Sequence, residues 1–436
     1  MPPLSAQLAL GRIASMPQDS SRTDFQPVVV GGDIGAYSLS RAFHEAYGVR
    51  SIVISTQLGW HIARSAIIDN RLIGDTMDPQ QLAAELARIE ESTPAPTRLI
   101  LLGSADATVK TIIRVRDELA SLDPQRWVVP YVGLEAFEAA TEKQNFTALC
   151  QKLGVDHPTT EVFDLAQPLP ESIDLPFQYP VIAKPADVSA WKRVQFPGKS
   201  KVHTVDSEQD LLDLLGRIRH GGYDKAIIVQ DMIPGDDQNM RILTVYCDSD
   251  SRIRFASWGQ TLLEEHSPGA IGNPAAIITG RNDRAVEQAQ KLVSELGWIG
   301  YANFDLKYDP RTGQTVFFEL NPRLGRSNYY VTAGGHNPVE FYVREHIEGT
   351  LGEPGEIVQD QDEVLYAVVP VALVKHYTTD PQSKALLKRA LKNSRVRNPL
   401  RYPGVEKDLK RRAVFWAAMA NYVRKFRRYY RPEKAS

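Results

Sequence analysis

The first third of the chain alternates short apolar runs with stretches in which apolar residues recur every three or four positions. This pattern predicts buried strands and amphipathic helices in turn. Strands are predicted at 27–31, 51–55, 98–103 and 127–132, and helices at 38–47, 79–91 and 106–121. Because strand and helix alternate regularly, we expect a doubly wound parallel sheet that occupies residues 25–135.

After residue 141 the pattern changes to helices mixed with longer strands, which is typical of α+β architecture. Predicted strands lie at 181–184, 201–204, 226–230, 239–247 and 252–258, predicted helices at 142–153, 207–220 and 283–296, and a hairpin at 301–320. The loop 185–200 is rich in Gly, Pro, Ser and basic residues. We expect the unit 136–235 to be small and the unit 236–375 to be larger.

The turn at 31–35 (GGDIG) follows the first strand, as a dinucleotide-binding turn does. Val30 occupies the position where the G-x-G-x-x-G fingerprint needs its first glycine. The second strand also ends at Ser55-Thr56, without the acidic residue that holds a ribose. These departures favour a tight strand-to-helix turn at a substrate cleft over NAD or FAD binding.

Composition narrows the class of protein. The 436 residues are 43% hydrophobic and 24% charged, which is typical of a globular protein of several domains. Two cysteines cannot form a disulfide framework, and the first 24 residues, expected to be flexible, lack the apolar core of a secretory signal. No apolar stretch is long enough to cross a bilayer. These features favour a cytoplasmic setting.

The net charge of −2 conceals an uneven distribution. Residues 384–436 contain 17 basic and three acidic residues, a net charge of about +14, and the rest of the chain carries about −16. We expect 376–436 to be a basic helical C-terminal segment. Within it, one stripe of residues follows helical spacing: Phe415, Ala418, Met419, Tyr422, Phe426 and Tyr430. Three alternatives follow: the stripe lies on an anionic membrane surface, it packs on the body of the protein while the charges face an anionic substrate, or the segment is a solvated closing helix.

The predicted hairpin carries the most informative side chains. Glu319 and Asn321 are two residues apart on one strand and therefore share a face. If Tyr308 pairs with Gln314, or if the register shifts by two, Asp305 joins them. Carboxylate and amide oxygens suit Mg²⁺ that is bound to a nucleotide triphosphate. The opposite face of the hairpin is apolar, with Phe304, Leu306, Phe318 and Leu320.

Several motifs in this order resemble the ATP-grasp superfamily of carboxylate-amine ligases. The motifs are YPVIAKP around Lys184, VQDMIPG at 229–235, FDLK at 304–307 and FFELNPR at 317–323, with Lys143 about forty residues before Lys184. The resemblance covers residues 27–340. It implies an ATP-grasp fold, α/β and α+β, with a preceding doubly wound domain, a lid subdomain and a nucleotide and metal subdomain.

The resemblance also implies roles for individual residues. ATP would be held by Lys143, Lys184, Ser189, Gln230, Asp231, Met232, Ile233 and Asp237, with Asp237 at the ribose, and by the flexible loop 187–199. Mg²⁺, or Mn²⁺ in its place, would be held by Asp305, Glu319 and Asn321. Lys184, Arg241 and Arg323 would assist phosphoryl transfer, and Arg323, Arg326 and Asn328 would bind the substrate.

Within the superfamily, the segment ELNPRLGRSNYYVTAGGHN at 319–337 is most similar to the D-aspartate ligases of peptidoglycan cross-bridge synthesis. The similarity implies an amino-acid carboxylate activated as an acyl phosphate and an amine acceptor on a nucleotide- or lipid-linked precursor. Three alternatives remain open at this point: a dipeptide or other amino-acid ligase, a non-catalytic nucleotide-binding protein at the membrane, and a nucleic-acid-binding protein. The last lacks a supporting motif.

Overall fold

The computed structural model describes residues 22–118, 122–200, 202–353, 355–359 and 362–431, without the side chains at 143, 144, 188, 189 and 192. Three sheets organise this part of the chain. Of the N-terminal segment that we expect to be flexible, residues 1–21 lie outside the described residues. Arg22 pairs with Asp24 and with Glu348.

The first sheet confirms the predicted parallel domain. Its elements are β1 (Phe25–Val30), α1 (Ile34–Tyr47), β2 (Ser51–Ser55), β3 (Ile68–Leu72), α2 (Pro79–Ser92), β4 (Arg98–Gly103), α3 (Asp106–Asp117) and β5 (Trp127–Val128). The strands are parallel in the order β3-β2-β1-β4-β5. Strand β3 was not predicted, because IDNRL has three polar residues in five. Strand β5 is shorter than predicted, since Pro130 cannot donate a ladder hydrogen bond.

The second sheet is small and antiparallel, in the order β6-β9-β7-β8. The elements from here to β9 are α4 (Leu134–Thr141), α5 (Lys143–Leu153), β6 (Thr160–Asp164), β7 (Val181–Pro185), α6 (Val188–Arg193), β8 (His203–Val205), α7 (Glu208–His220) and β9 (Ala226–Asp231). This sheet and α7 enclose a core of their own. We call residues 156–231 the lid.

The third sheet is the largest, with eight strands in the described part of the chain. Its region contains β10 (Met240–Cys247), β11 (Ile253–Glu264), β12 (Pro274–Gly280), α8 (Asp283–Glu295), β13 (Gly300–Asp309), β14 (Gln314–Asn321), α9 (Tyr329–Ala333), α10 (Val339–His346), β15 (Val358–Gln359), β16 (Leu365–Ala367), α11 (Val371–Tyr377), α12 (Pro381–Lys392) and β17 (Val396–Arg397). The order is β14-β13-β10-β11-β12-β16-β17, with β15 on β11. Strand β17 thus adds part of the basic C-terminal segment to this sheet.

One continuous hydrophobic core joins the first and third sheets, and α4 and α5 belong to it through Phe137 and Phe146. The lid core is separate from it. Both cysteines, Cys150 and Cys247, are buried and free. No helix in the described ranges is both long and apolar enough to cross a membrane.

The last helix, α13 (Leu409–Tyr429), packs the predicted stripe on the body of the protein. Met419, Tyr422 and Phe426 are buried. The Tyr430 ring, just past the helix, lies 4.2 Å from the ring of Tyr377. Of the three alternatives for this stripe, the structure therefore shows packing on the body.

Candidate active site

Strands β13 and β14 bring the three predicted oxygen ligands together. Asp305 pairs with Glu319 and Asn303 pairs with Asn321. Neither predicted register is followed throughout, since Asp309 pairs with Gln314 at the turn and a bulge next to Asp305 adds one residue. The bulge restores the Asp305–Glu319 pair, because one extra residue shifts every later pair by one.

Because of this bulge, the prediction that Phe318 lies on the apolar face of the hairpin is wrong. Phe317 takes that place, with its ring 5.3 Å from the ring of Phe304. Phe318 instead lines a large cavity, half-buried. The hairpin therefore offers the aromatic ring of Phe318 to this cavity, whose lining does not include Asp305, Glu319 or Asn321.

The electrostatics of this set suit a cation. Burial and the Glu319 carboxylate raise the pKa of Asp305. Asn321 opposes the rise by donating its Nδ2 to Asp305 Oδ2 at 3.0 Å, which leaves its Oδ1 as an acceptor. Two neighbouring carboxylates and an amide oxygen are hard ligands of the kind that Mg²⁺ prefers. Among the described residues no cluster contains three His, Cys, Asp or Glu side chains suited to a metal, so the amide oxygen completes this set.

A cavity of about 880 Å³ separates the lid from the hairpin. Its volume lies in the range typical of ligand pockets. The lining residues are Pro180, Ile182, Lys184, Val202, Thr204, Asp206, Gln230, Asp231, Met232, Ile233, Pro234, Gly235, Asp236, Asn239, Lys307, Pro310, Phe318, Thr379 and Asp380. The lid thus contributes Lys184, Gln230 and Asp231, and the chain just after it contributes 232–235, as expected for a nucleotide cleft.

Two of the predicted nucleotide-binding side chains already have partners in the protein. Gln230 is buried and donates from Nε2 to Thr160 Oγ1 at 2.9 Å, which joins β9 to β6. Asp231 forms an ion pair with Arg311 at 2.6 Å, between the lid and the hairpin turn. The backbone of both residues is also paired within the sheet, since β9 lies between β6 and β7 and the Asp231 N–H donates to the Thr159 carbonyl at 2.9 Å. The backbone groups of 232–233, just after the strand, are therefore the part of the segment that is suited to hold a base.

The predictions for Asp237 and Arg241 need correction. Asp237 Oδ2 accepts a hydrogen bond from the Glu264 N–H and lies 2.9 Å from His266 Nε2. Asp237 is not part of the cavity lining, whereas its neighbour Asp236 is. Arg241 pairs across the sheet with Leu306, one residue from the Asp305 pair. Its side chain therefore leaves the sheet on the face opposite Asp305.

The Arg241 guanidinium is occupied on that face. It donates to the backbone carbonyls of Gln238 and Met240 at 2.7 and 2.9 Å and lies 5.5 Å from the centre of the Tyr308 ring. Burial lowers the pKa of Arg241 to about 10. Arg241 thus supports the sheet beneath the site and does not face the carboxylates.

The predicted phosphate loop contains a short helix, α6, which the sequence did not reveal. Asp187 caps it by accepting from the Ala190 N–H at 2.8 Å. Trp191 anchors the helix in the lid core, with its ring 5.2 Å from that of Tyr223. The side chains of Ser189 and of Lys143, which begins α5, lie outside the described residues.

The remaining predicted residues face the first sheet. Arg323 Nε lies 2.8 Å from Asp106 Oδ1 at the start of α3, and its Nη2 approaches Asn321 Oδ1 at 3.4 Å. Asn328 is buried and donates to the Gly35 carbonyl at 3.2 Å, which ties this loop to α1. Arg323 therefore connects the oxygen set to the first domain.

Arg326 belongs to a polar cluster that sequence reasoning missed. Its Nη1 lies 3.1 Å from Glu265 Oε1, and Glu265 is buried. Tyr422 of α13 completes the cluster, and burial together with Glu265 raises the pKa of Tyr422 to about 12 despite the opposing effect of Arg326. Glu265 and Tyr422 are 61 and 96 residues from Arg326 in sequence, and no local pattern links the three positions.

A second cavity, of about 430 Å³, opens beside this cluster at the carboxyl ends of β1 and β2. Its lining includes Gly32, Asp33, Trp60 and His61. Asp33 and His61 both interact electrostatically with Arg326. Burial, with help from Arg326, lowers the pKa of His61 to about 4, so this histidine is neutral near pH 7. A cavity therefore opens at the 31–35 turn, where the sequence predicts a substrate cleft.

No family model matches the chain. The D-aspartate ligase of Enterococcus faecium (strain Aus0004) is 30% identical over 420 residues, which cover 93% of this chain and 97% of that protein. Among solved structures, an L-amino acid ligase from Bacillus licheniformis has 12% identity, a TM-score of 0.51 and 74% coverage of each chain. An N5-carboxyaminoimidazole synthetase from Staphylococcus aureus, complexed with ADP, has 13% identity and a TM-score of 0.51 over 80% of this chain and 84% of that one.

The two solved structures establish the fold, and the enterococcal relative establishes the family. The similarity to that relative covers 93% of this chain and therefore includes the lid and the hairpin. The chain is therefore a member of the D-aspartate ligase family, ATP-dependent carboxylate-amine ligases with the ATP-grasp fold.

Proposed function

We propose that the protein activates the β-carboxylate of D-aspartate with ATP and joins it to an amine of a peptidoglycan precursor. The observation that carries the proposal is the Asp305, Glu319 and Asn321 set on the hairpin, whose Phe318 lines the same cavity as Lys184 of the lid. The name of the enterococcal relative supplies the choice of D-aspartate.

The reaction has two bond exchanges. An oxygen of the β-carboxylate attacks the γ-phosphorus and the bond to ADP breaks, which gives a β-aspartyl phosphate. The acceptor amine then attacks the acyl carbon, phosphate leaves, and the nitrogen loses a proton. Positioning and positive charge around the transferred oxygens provide most of the catalysis in such transfers.

The roles of the protein follow from where its groups lie. In this proposal Asp305, Glu319 and Asn321 hold Mg²⁺, or Mn²⁺ as an alternative, which would neutralise the phosphate oxygens. Lys184 adds a point charge from the lid, and the backbone of 232–233 holds adenine. Arg323, beside the oxygen set, orients the carboxylate that reacts.

The Arg326 cluster is the proposed substrate site. Arg326 offers a planar pair of donors for a carboxylate, and Glu265 and Tyr422 fix its orientation. The adjacent 430 Å³ cavity has room for the rest of an amino acid or for the end of a peptide chain. Asn328 would act here through Gly35, by holding the first domain against the loop.

The proposed setting is the cytoplasm, at the inner surface of the membrane. A nucleotide- or lipid-linked precursor is the proposed acceptor, and the excess of positive charge in the C-terminal segment would favour an anionic surface.

Amino-acid-dependent release of ADP tests the proposed function. We expect purified protein with ATP and Mg²⁺ to release ADP with D-aspartate and a precursor peptide that carries a free amine, and to form an amide detectable by mass spectrometry. L-aspartate, D-glutamate and D-alanine serve as matched controls. Faster turnover with one of these, or formation of a free dipeptide, would contradict the substrate assignment.

Replacing Tyr422 with phenylalanine tests the substrate site. The change removes the hydroxyl beside Arg326 and keeps the ring. Because a hydrogen bond to a charged group is worth roughly 1.5–3 kcal/mol, we expect KM for the amino acid to rise about tenfold or more while KM for ATP stays unchanged. The control is Tyr429→Phe on the same helix. An equal rise in both KM values would contradict this role for Tyr422.

A further inference from the structure

The outward face of α13 is apolar and basic at once. Leu409, Val414 and Trp416 are 76%, 44% and 61% exposed. Ala413, Ala417 and Ala420 are exposed between them. Leu409, Ala413, Trp416 and Ala420 follow spacings of four, three and four, and therefore form one strip along the helix. We call this strip, together with its basic neighbours, the outer face.

Six exposed basic side chains accompany the strip: Lys410, Arg412, Arg424, Arg427, Arg428 and Arg431. Residues 409–431 include no Asp or Glu. In the described part of the chain none of the six forms an ion pair, whereas Arg389 and Arg395 nearby in sequence pair with Glu363 and Asp362. The outer face therefore keeps its positive charge.

We propose that the outer face of α13 binds the surface of an anionic phospholipid bilayer, with Trp416 at the level of the head groups. An interfacial helix combines an apolar strip with basic flanks, and tryptophan is enriched at this depth. The inference deepens the membrane setting in the proposed function and rests on it.

The structure changes which side of the helix makes this contact. The aromatic stripe, for which the sequence left a membrane contact open, packs inside the protein, where Phe426 and Tyr430 contact Tyr377. Only the opposite face remains for lipid. Self-association through that face is disfavoured, because both copies would present basic residues there and residues 409–431 contain no acidic partner for them.

The contact would lie next to the proposed substrate site. At its start, α13 is fixed to the first domain by Arg411, which donates to the carbonyls of His61 and Ala63 at 2.7 and 2.8 Å. Three turns later, Tyr422 reaches the Arg326 cluster from the buried face. A bilayer on the outer face would therefore be one helix diameter from this cluster.

Deletion of the C-terminal segment would not test this inference cleanly, because residues 387, 390 and 419 are part of the core. Point variants on the exposed surface avoid that problem. The test variants are Trp416→Ala and the triple Arg424→Gln, Arg427→Gln, Arg428→Gln. Matched controls on other surfaces are Ile271→Ala, at a side chain that is 73% exposed, and the triple Lys225→Gln, Arg252→Gln, Arg281→Gln.

The assay is sedimentation of the full chain with vesicles of phosphatidylcholine alone or with one third phosphatidylglycerol. We expect binding to the anionic vesicles only, weakened by salt. The Arg triple should lower the partition coefficient roughly a hundredfold and Trp416→Ala roughly tenfold, with both controls unchanged. Unchanged melting temperatures would show that the variants fold.

Three outcomes would overturn the inference. The first is binding of wild type to anionic vesicles that neither test variant reduces. The second is an equal loss in the control triple. The third is a lack of vesicle binding together with binding of a polynucleotide that the Arg triple abolishes. ADP release with a water-soluble acceptor, measured in parallel, is expected to be the same in all variants, which separates this inference from the proposed ligase activity.

Discussion

Replacing Glu319 with glutamine should reduce ATP-dependent ligation by roughly a thousandfold, because a bound metal supplies several kcal/mol of charge stabilisation in phosphoryl transfer. Glutamine keeps the size of the side chain and removes one of two paired carboxylates. The measurement is kcat for ADP release at saturating ATP and Mg²⁺. We also expect the stabilisation of the protein by ATP to lose its dependence on Mg²⁺ in a thermal melt.

The matched control for this variant is Glu295→Gln. Glu295 has a half-exposed side chain that pairs with Lys152 at 2.6 Å, outside the cavity. Glu295→Gln makes the same chemical change as Glu319→Gln, and the activity of this control variant should stay within twofold of wild type. Two results would contradict a metal site on the hairpin. One is wild-type turnover in Glu319→Gln, and the other is a melting temperature of this variant that ATP still raises in a Mg²⁺-dependent way.

Lys184→Met is expected to have the second largest effect. Lys184 lies on β7 of the lid and lines the cavity that the hairpin closes from the other side. Without its charge the phosphates lose a cation on the lid side. We expect a decrease in kcat/KM for ATP of roughly a hundredfold to a thousandfold, as for the loss of one preorganised transition-state donor. Steady-state kinetics with ATP as the varied substrate measures the change.

Lys225→Met provides the comparison within the lid, since Lys225 precedes β9 and its side chain is 54% exposed. Its kinetic constants should match those of wild type. If Lys184→Met lowers the affinity for D-aspartate and leaves ATP binding unchanged, the side chain serves the amino acid and the cavity is assigned to the wrong substrate.

The sequence predicted the parts of the site that depend on strand alternation. Glu319 and Asn321 had to share a face because they are two residues apart. The position of Asp305 depended on the register, and the bulge beside it could not be predicted from the turn sequence. Phe318 was consequently assigned to the wrong face of the hairpin.

Predictions from resemblance were weakest where a side chain had another partner available. Asp237 lies one residue from the cavity lining, and its carboxylate is held by Glu264 and His266. Arg241 lies one residue after Met240 and three after Gln238, and its side chain donates to the carbonyls of both on the face away from Asp305. Neighbouring residues on a strand point to opposite faces of the sheet, and a sequence motif does not show which face a given side chain takes.

The contribution of the C-terminal segment required the folded structure. Helical spacing predicted the apolar stripe of α13, and the structure buries Met419, Tyr422 and Phe426 of this stripe. The spacing carried no information on what the stripe would contact. The Glu265, Arg326 and Tyr422 cluster depends on three distant segments that meet only when the first and third sheets share one core.

The most direct test of the central proposal is the transfer of an oxygen isotope. D-aspartate labelled with oxygen-18 in its β-carboxylate is incubated with the enzyme, ATP, Mg²⁺ and the acceptor peptide, and the released phosphate is analysed by mass spectrometry. Attack by the β-carboxylate on the γ-phosphorus predicts one labelled oxygen in each phosphate. Unlabelled phosphate, or label that is transferred only from the α-carboxylate, would contradict the proposal.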